Sequence, residues 1–146
     1  MSNKLNELDL DVQSKAVKTI AAMKTNEKLK SLGVETVYVN ETKRSLSTQM
    51  AYYARGRMNY EDVKRLYNAI GIYTLTEEEA KQKITWTLDS KHIKGRAIDI
   101  VPVKNGKLWW TAPKEVWETM GLIGEANGLT WGGRWKDTPD TPHFEA

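Results

Sequence analysis

Ile98-Asp-Ile-Val-Pro-Val103 reads as a β-strand whose neighbours are apolar on both faces and whose one acid is Asp99. Alternation sets Ala97, Asp99 and Val101 on one face and Ile98 and Ile100 on the other. A carboxylate in that setting is costly to bury unless a cation or several donors meet it. The strand therefore constrains the rest of the chain, because something must come to Asp99.

The chain has two histidines, and both lie near acids. His92 stands seven residues before Asp99 with Gly95 between them, where the backbone has to turn back for both side chains to reach one point. His143 sits near the C-terminus in Asp140-Thr-Pro-His143-Phe-Glu145. Two imidazoles and a carboxylate make a three-ligand metal set with room for a water. The chain has no cysteine, so any transition metal is held by nitrogen and oxygen. The plainer readings stay open on residues alone: His92 as a loop histidine beside an acid that caps a turn, and His143 as a surface histidine in a proline-rich tail.

Asp140 poses a geometric question. Plain alternation puts Asp140 and His143 on opposite faces, so they share a side only if Pro139-Asp-Thr-Pro142 is a turn, and the two prolines favour one. Pro142 forces Thr141 to be extended. Glu145 shares a strand face with His143 and is placed to orient its imidazole.

Around these residues the expected fold is α+β, with N-terminal helices packed on a small antiparallel sheet. Residues 5 to about 31 read as one amphipathic helix, with Leu8, Val12, Ala16, Ile20 and Met23 as its apolar stripe and Gly33 as its stop. Thr36-Val-Tyr-Val39 is a strand, and Leu46 to about Arg55 is a helix capped by Ser45 or Ser47. A short helix is expected around Glu61–Ala69, and Thr76-Glu-Glu-Glu79 has capping-box spacing. Lys104-Asn-Gly-Lys107 is a hairpin turn into Leu108-Trp-Trp110, and Pro113 is expected as the first residue of a helix to about Asn127, closed by Gly128. A last β segment covers Leu129–Trp135 before the His143 strand. With 146 residues and no repeat or linker, one domain is expected.

The formal net charge of +3 is too diffuse for a nucleic-acid footprint, so no nucleic-acid partner is expected. No apolar run approaches membrane-spanning length, and the N-terminus lacks the apolar core of a secretory signal. The expectation is a chain made in the cytoplasm, without stable membrane association and monomeric. Of six tryptophans, most are expected in the core. Trp131 and Trp135 are the ones expected to pack on a ligand, and Trp86 either lines the site or supports it.

Ser90-x-His92-x-x-Gly95-x-Ala97-x-Asp99 resembles the signature of the zinc D-alanyl-D-alanine peptidase family, which includes L-alanyl-D-glutamate endopeptidases and shares the fold of the hedgehog signalling domain. Trp131-Gly-Gly-Arg-Trp135 followed by Asp140-Thr-Pro-His143-Phe-Glu145 resembles the endopeptidase branch found in phage endolysins. Lys43-Arg44-Ser45 with Gln49 is similar to the family's upstream Arg-Ser segment. The likeness runs in order over roughly residues 36–146. It implies one Zn²⁺ per chain on His92, Asp99 and His143, Asp140 as general base, and Arg44 reaching the scissile carbonyl oxygen or a substrate carboxylate. Gln49, Ser90, Trp131 and Trp135 follow as substrate-binding residues. The implied partner is bacterial peptidoglycan, cut between L-Ala and D-Glu by a single-domain lysin with no separate wall-binding domain, acting on the wall after release. Relatives often carry an acid where this chain has Arg134, and the stretch between Trp135 and Asp140 is short.

Three other readings share these residues. A D-alanyl-D-alanine carboxypeptidase uses the same chemistry on a terminal residue. A non-catalytic zinc-binding module needs the three ligands but has no use for Asp140. A two-histidine, one-carboxylate iron oxygenase fits the ligand set but suits the helix-first layout poorly.

Overall fold

The computed structural model describes residues 2–146. A short 3₁₀ turn at Leu5–Glu7 precedes helix α1 (Leu10–Thr25) and helix α2 (Glu27–Ser31). Strand β1 (Thr36–Glu41) follows, then helices α3 (Leu46–Ala54), α4 (Tyr60–Ile70) and α5 (Glu77–Ala80). The second half holds β2 (Ala97–Lys104), β3 (Lys107–Leu108), α6 (Lys114–Ala126), β4 (Thr130–Trp131) and β5 (His143–Glu145). The α+β architecture expected from the sequence is the one observed.

The sheet is antiparallel, in the order β1-β2-β5-β4, with β3 also paired to β2. β2 is its axis. One edge takes β1, from Glu41 opposite Asp99 to Thr36 opposite Val103. The other edge takes β5 at Ala97–Asp99 and β3 at Val103–Lys104, end to end. Ile98, Ile100 and Val101 are fully buried in a core shared with α1, α6 and Phe144. A second cluster, built on Ala51, Val63, Tyr67 and Leu75, holds α3, α4 and α5 together.

Residues 5–31 are not the one helix expected. The chain breaks at Asp9 and again at Asn26, whose extended backbone ends α1 and whose side chain accepts from the Leu29 amide to start α2. Asparagine competes with the helix by bonding nearby backbone, whereas Asp9 leaves helical geometry with its carboxylate paired to Arg96; both interrupt the helix where the apolar stripe continues. That stripe is real: Leu8, Val12, Ala16 and Met23 are buried, and Ile20 packs against the same core. Pro113 is the N-cap of α6 rather than its first helical residue. Leu108 is the last residue of β3, and of the segment Leu129–Trp135 only Thr130–Trp131 is strand, because Gly132–Arg134 winds into a 3₁₀ turn.

Other local signals match. Ser45 accepts from the Thr48 amide at the start of α3, and the Thr76–Glu79 capping box is complete. Asn105 and Gly106 both have positive φ, which is what a two-residue hairpin turn between β2 and β3 requires. Gly121 and Gly124 on α6 let two rings lie against the helix: an added Cβ would stand 2.3 Å from the Trp131 ring and 2.4 Å from the Phe144 ring.

Candidate metal and active site

Asp99 on β2 and His143 on β5 are direct partners across the antiparallel ladder. His92 arrives from the loop before β2, where Gly95, at φ +71°, turns the chain back. The three side chains converge, with one ligand atom from each lying within 4.8 Å of the others. Asp99 Oδ1 is 3.2 Å from His92 Nε2 and 3.3 Å from His143 Nδ1. The acid that the sequence left in need of a cation or donors has both imidazoles beside it.

Each imidazole is fixed through its other nitrogen. His92 Nδ1 lies 2.6 Å from the Thr42 carbonyl, which can only accept, so Nδ1 carries a proton and Nε2 is the nitrogen turned to the centre. His143 Nε2 lies 2.9 Å from Glu145 Oε1, which leaves Nδ1 for the centre. Glu145 is itself bound by Lys91, 2.9 Å away. This support of both rings is what a metal-ligating histidine pair needs. Two imidazole lone pairs and one carboxylate match the donor preferences of zinc.

The charges follow the geometry. Burial alone would raise the Asp99 carboxyl, but hydrogen bonds from His143 and His92 outweigh it and hold that group far below the usual carboxylate range. Burial pulls His143 down, yet its bonds to Asp99 and Glu145 win and push it up to about 9. The His143 bond holds Glu145 down at about 2 against the opposing effect of burial.

Asp140 stands on the same side as the triad, its Oδ2 4.0 Å from His143 Nδ1. The Pro139–Pro142 stretch is the turn its prolines suggested: the His143 amide donates to Asp140 O, and the Asp140 amide donates to Gly132 O. Burial and the nearby Asp99 charge raise the Asp140 carboxyl above its ordinary value. It is thus an acid beside the triad that is not drawn into it.

Arg44 is tied to the His92 loop by its backbone, its amide donating to His92 O at 2.9 Å. Its side chain is clamped. Nε and Nη2 both donate to Glu41, a residue 2% exposed, and Nη1 donates to Gln49 Oε1 at 2.6 Å. Three of the five guanidinium N–H bonds are used, leaving one on each terminal nitrogen for the cavity that Arg44 lines. Glu41 is the residue that sequence reasoning missed. The strand read from the sequence stops at Val39, and only the β1–β2 register, which sets Glu41 opposite Asp99, reveals it.

The other expected site residues divide. Ser90 lines the cavity and accepts from the His92 amide at 3.2 Å. Trp135 lines it too, with its ring 4.9 Å from that of His143. Gln49 is fully buried behind Arg44, donating to Thr85 Oγ1 and Thr87 O, which places it as a support. Trp131 is 6% exposed and belongs to the core, its indole N–H donating to Thr141 O at 2.8 Å. Arg134 turns away to an ion pair with Glu125.

Residues 83–146 match the model of a family described as D-alanyl-D-alanine carboxypeptidase, and that stretch holds His92, Asp99, Asp140 and His143. The C-terminal part of the chain is thus similar to that peptidase family. The fold of the chain is similar to the crystal structure of the Serratia marcescens L-Ala D-Glu endopeptidase ChiX, over 97% of this chain and 81% of that one, with a TM-score of 0.55. The two are 20% identical, so the likeness is one of fold. No helix among the described residues is long and apolar enough to cross a membrane.

Proposed function

We propose that the protein is a zinc-dependent endopeptidase that cuts peptidoglycan stem peptides between L-Ala and D-Glu, in the role of a phage or prophage wall-lytic enzyme. One observation carries this reading: an acid, Asp140, stands 4.0 Å from a His-Asp-His group without belonging to it. A purely structural metal site has no use for such a group. His92, Asp99 and His143 hold the ion, one per chain. A bound zinc supplies Lewis acidity and a water whose pKa falls to about 7.

Asp140 accepts the proton that the attacking water loses and returns it to the departing amine. The microenvironment suits this, because a raised carboxyl is a stronger base than an ordinary one. Arg44 offers its two remaining N–H bonds to substrate oxygen, the scissile carbonyl or a carboxylate. Glu41 and Gln49 hold that guanidinium still, so little reorganisation accompanies the reaction. Ser90 fixes the start of the metal loop.

The matched family's description favours a second reading, carboxypeptidase action on a terminal D-Ala. The cavity of about 1210 Å³, larger than the roughly 300–1000 Å³ of small-ligand pockets, favours a longer chain. Digestion of purified sacculi by the metal-loaded protein separates the two. New N-terminal D-Glu is expected; released D-Ala would establish the carboxypeptidase instead. Metal analysis of protein purified without added metal is expected to give zinc near one per chain, and iron would overturn the hydrolytic assignment.

A further inference from the structure

Three tryptophans that the core leaves out all line the cavity of the metal triad. Trp86 is 58% exposed, Trp110 50% and Trp135 38%. The other three are taken up by the fold: Trp117 and Trp131 are buried, and Trp109 packs against the core with Lys104 over its ring. Indole is among the largest apolar groups, and leaving one half in water forgoes much of what burial would contribute. Three of them around one cavity, each from a different segment, is a feature that the cleavage chemistry does not use.

Their placement relative to the site follows from the sheet. β3 and β5 share one edge of β2 end to end, so the chain leaving β3 meets the chain entering β5. The Trp109 amide donates to Pro102 O, and the Ile100 amide donates to Pro142 O. Trp110 therefore comes next to the Pro139–Pro142 turn that carries Asp140. The Trp135 ring lies 4.9 Å from that of His143, tilted 47° to it. Trp86 lies between Thr85 and Thr87, the two residues that hold Gln49 against Arg44.

The geometry points to a saccharide subsite: Trp86, Trp110 and Trp135 form a rim that binds the glycan to which the stem peptide is attached. This rests on the proposed function. A pyranose ring has a flat C–H face and hydroxyl groups at its edge. An indole half in water takes the C–H face while the hydroxyls stay hydrated, so partial exposure is the arrangement such a ligand needs. The substrate's covalent order agrees. L-Ala is joined directly to the lactyl group of the sugar, so the bond after L-Ala is separated from the glycan by one residue. One extended residue spans at most about 3.6 Å, which keeps the sugar within reach of the cavity when the scissile carbonyl is at the triad.

Two measurements on the full-length, metal-loaded protein test this. The first compares kcat/KM for a sugar-free stem tripeptide with that for the same tripeptide carrying its disaccharide. Wild type is expected to favour the glycosylated peptide by about tenfold or more, and that ratio is expected to collapse toward one in the Trp86→Ala/Trp110→Ala double variant. A wild-type ratio of one, or a ratio that the double variant keeps, overturns the proposal. The second titrates an oligomer of N-acetylglucosamine, which contains no peptide bond to cut, and follows tryptophan emission. The dissociation constant is expected to weaken by about tenfold or more in the double variant, and equal binding by both proteins, or none by wild type, overturns the subsite. If neither peptide is cleaved but the oligomer binds through these tryptophans, the peptidase reading fails and the saccharide subsite stands.

Discussion

The Thr42 carbonyl accepts the Nδ1–H of His92 at 2.6 Å, and so decides which nitrogen of that ring faces Asp99. Glu145 does the same for His143 from the opposite side of the sheet axis, at 2.9 Å. One support is backbone and cannot be removed by substitution; the other is a side chain and can. Glu145→Gln is expected to weaken zinc binding by about 10–100-fold, because the ring loses both an anchor and the charge that raises its basicity. Competition against a chelator of known affinity reads this directly, and an unchanged dissociation constant would show that Glu145 does not tune the centre.

Asp140→Ala is expected to separate binding from turnover. Zinc stoichiometry and thermal stability stay near wild type, while hydrolysis falls by about 10²–10⁴-fold. His92→Ala loses the metal. Lysis by Asp140→Ala at the wild-type rate would remove it from the role of base.

Arg44 and Glu41 form a buried pair whose two members have different fates on mutation. Arg44→Lys keeps a cation but not the fork, and is expected to cost about 10²–10³ in kcat. Glu41→Ala leaves the guanidinium without its counter-charge inside the wall, with an expected loss of about 3–5 kcal/mol in folding stability. Urea denaturation of the two variants is the check: the Arg44 variant should be the more stable.

Removing the metal with a chelator should expose a pH dependence. In the metal-free protein both nitrogens of His143 bond to carboxylates, and its folded pKa of about 9 lies above the ordinary 6.5. A raised value means stabilisation that is full below 6.5 and lost as pH rises through about 9. Glu145 acts in the opposite sense: held at about 2, it stabilises above its ordinary 4.5 and loses that effect as pH falls toward 2. The metal-free Tm is therefore expected to peak between about pH 4.5 and 6.5. Zinc uptake at pH 7 should release about one proton, measurable by calorimetry in buffers of different ionisation enthalpy.

Gly121→Ala places a Cβ 2.3 Å from the Trp131 ring, too close without movement of helix or indole. The expected cost is about 1–3 kcal/mol, read from a denaturant midpoint. An unchanged midpoint would mean that the indole yields freely.

The meeting of His92, Asp99 and His143 was legible because the sequence around them carries local anomalies: an acid in an apolar strand, a glycine at a needed reversal, two prolines around Asp140. The hairpin at Asn105-Gly106 and the Thr76 capping box were legible for the same reason, since their chemistry is complete within four residues. What stayed hidden depends on register. Glu41 faces Asp99 only because β1 pairs with β2 as it does, with an irregularity between Val39 and Glu41. Trp131 and Trp135 were alike in sequence, yet one fills a slot made by Gly121 and the other is left at the cleft. The break at Asn26 was masked by an apolar stripe that runs through it, because packing periodicity reports burial and not backbone continuity.

Trp131 leaves this protein little room to vary at one point. Its ring occupies the hollow over Gly121 and Gly133, and its N–H holds Thr141, the residue after Asp140. The interior of the protein and the aim of its proposed base are thus set by one side chain. Substitutions that retune the rim tryptophans leave the reaction machinery in place, whereas a change at Trp131 shifts thermal tolerance and turnover together. Directed evolution of altered wall preference should therefore accumulate changes at residues 86, 110 and 135 and leave 131 as it is.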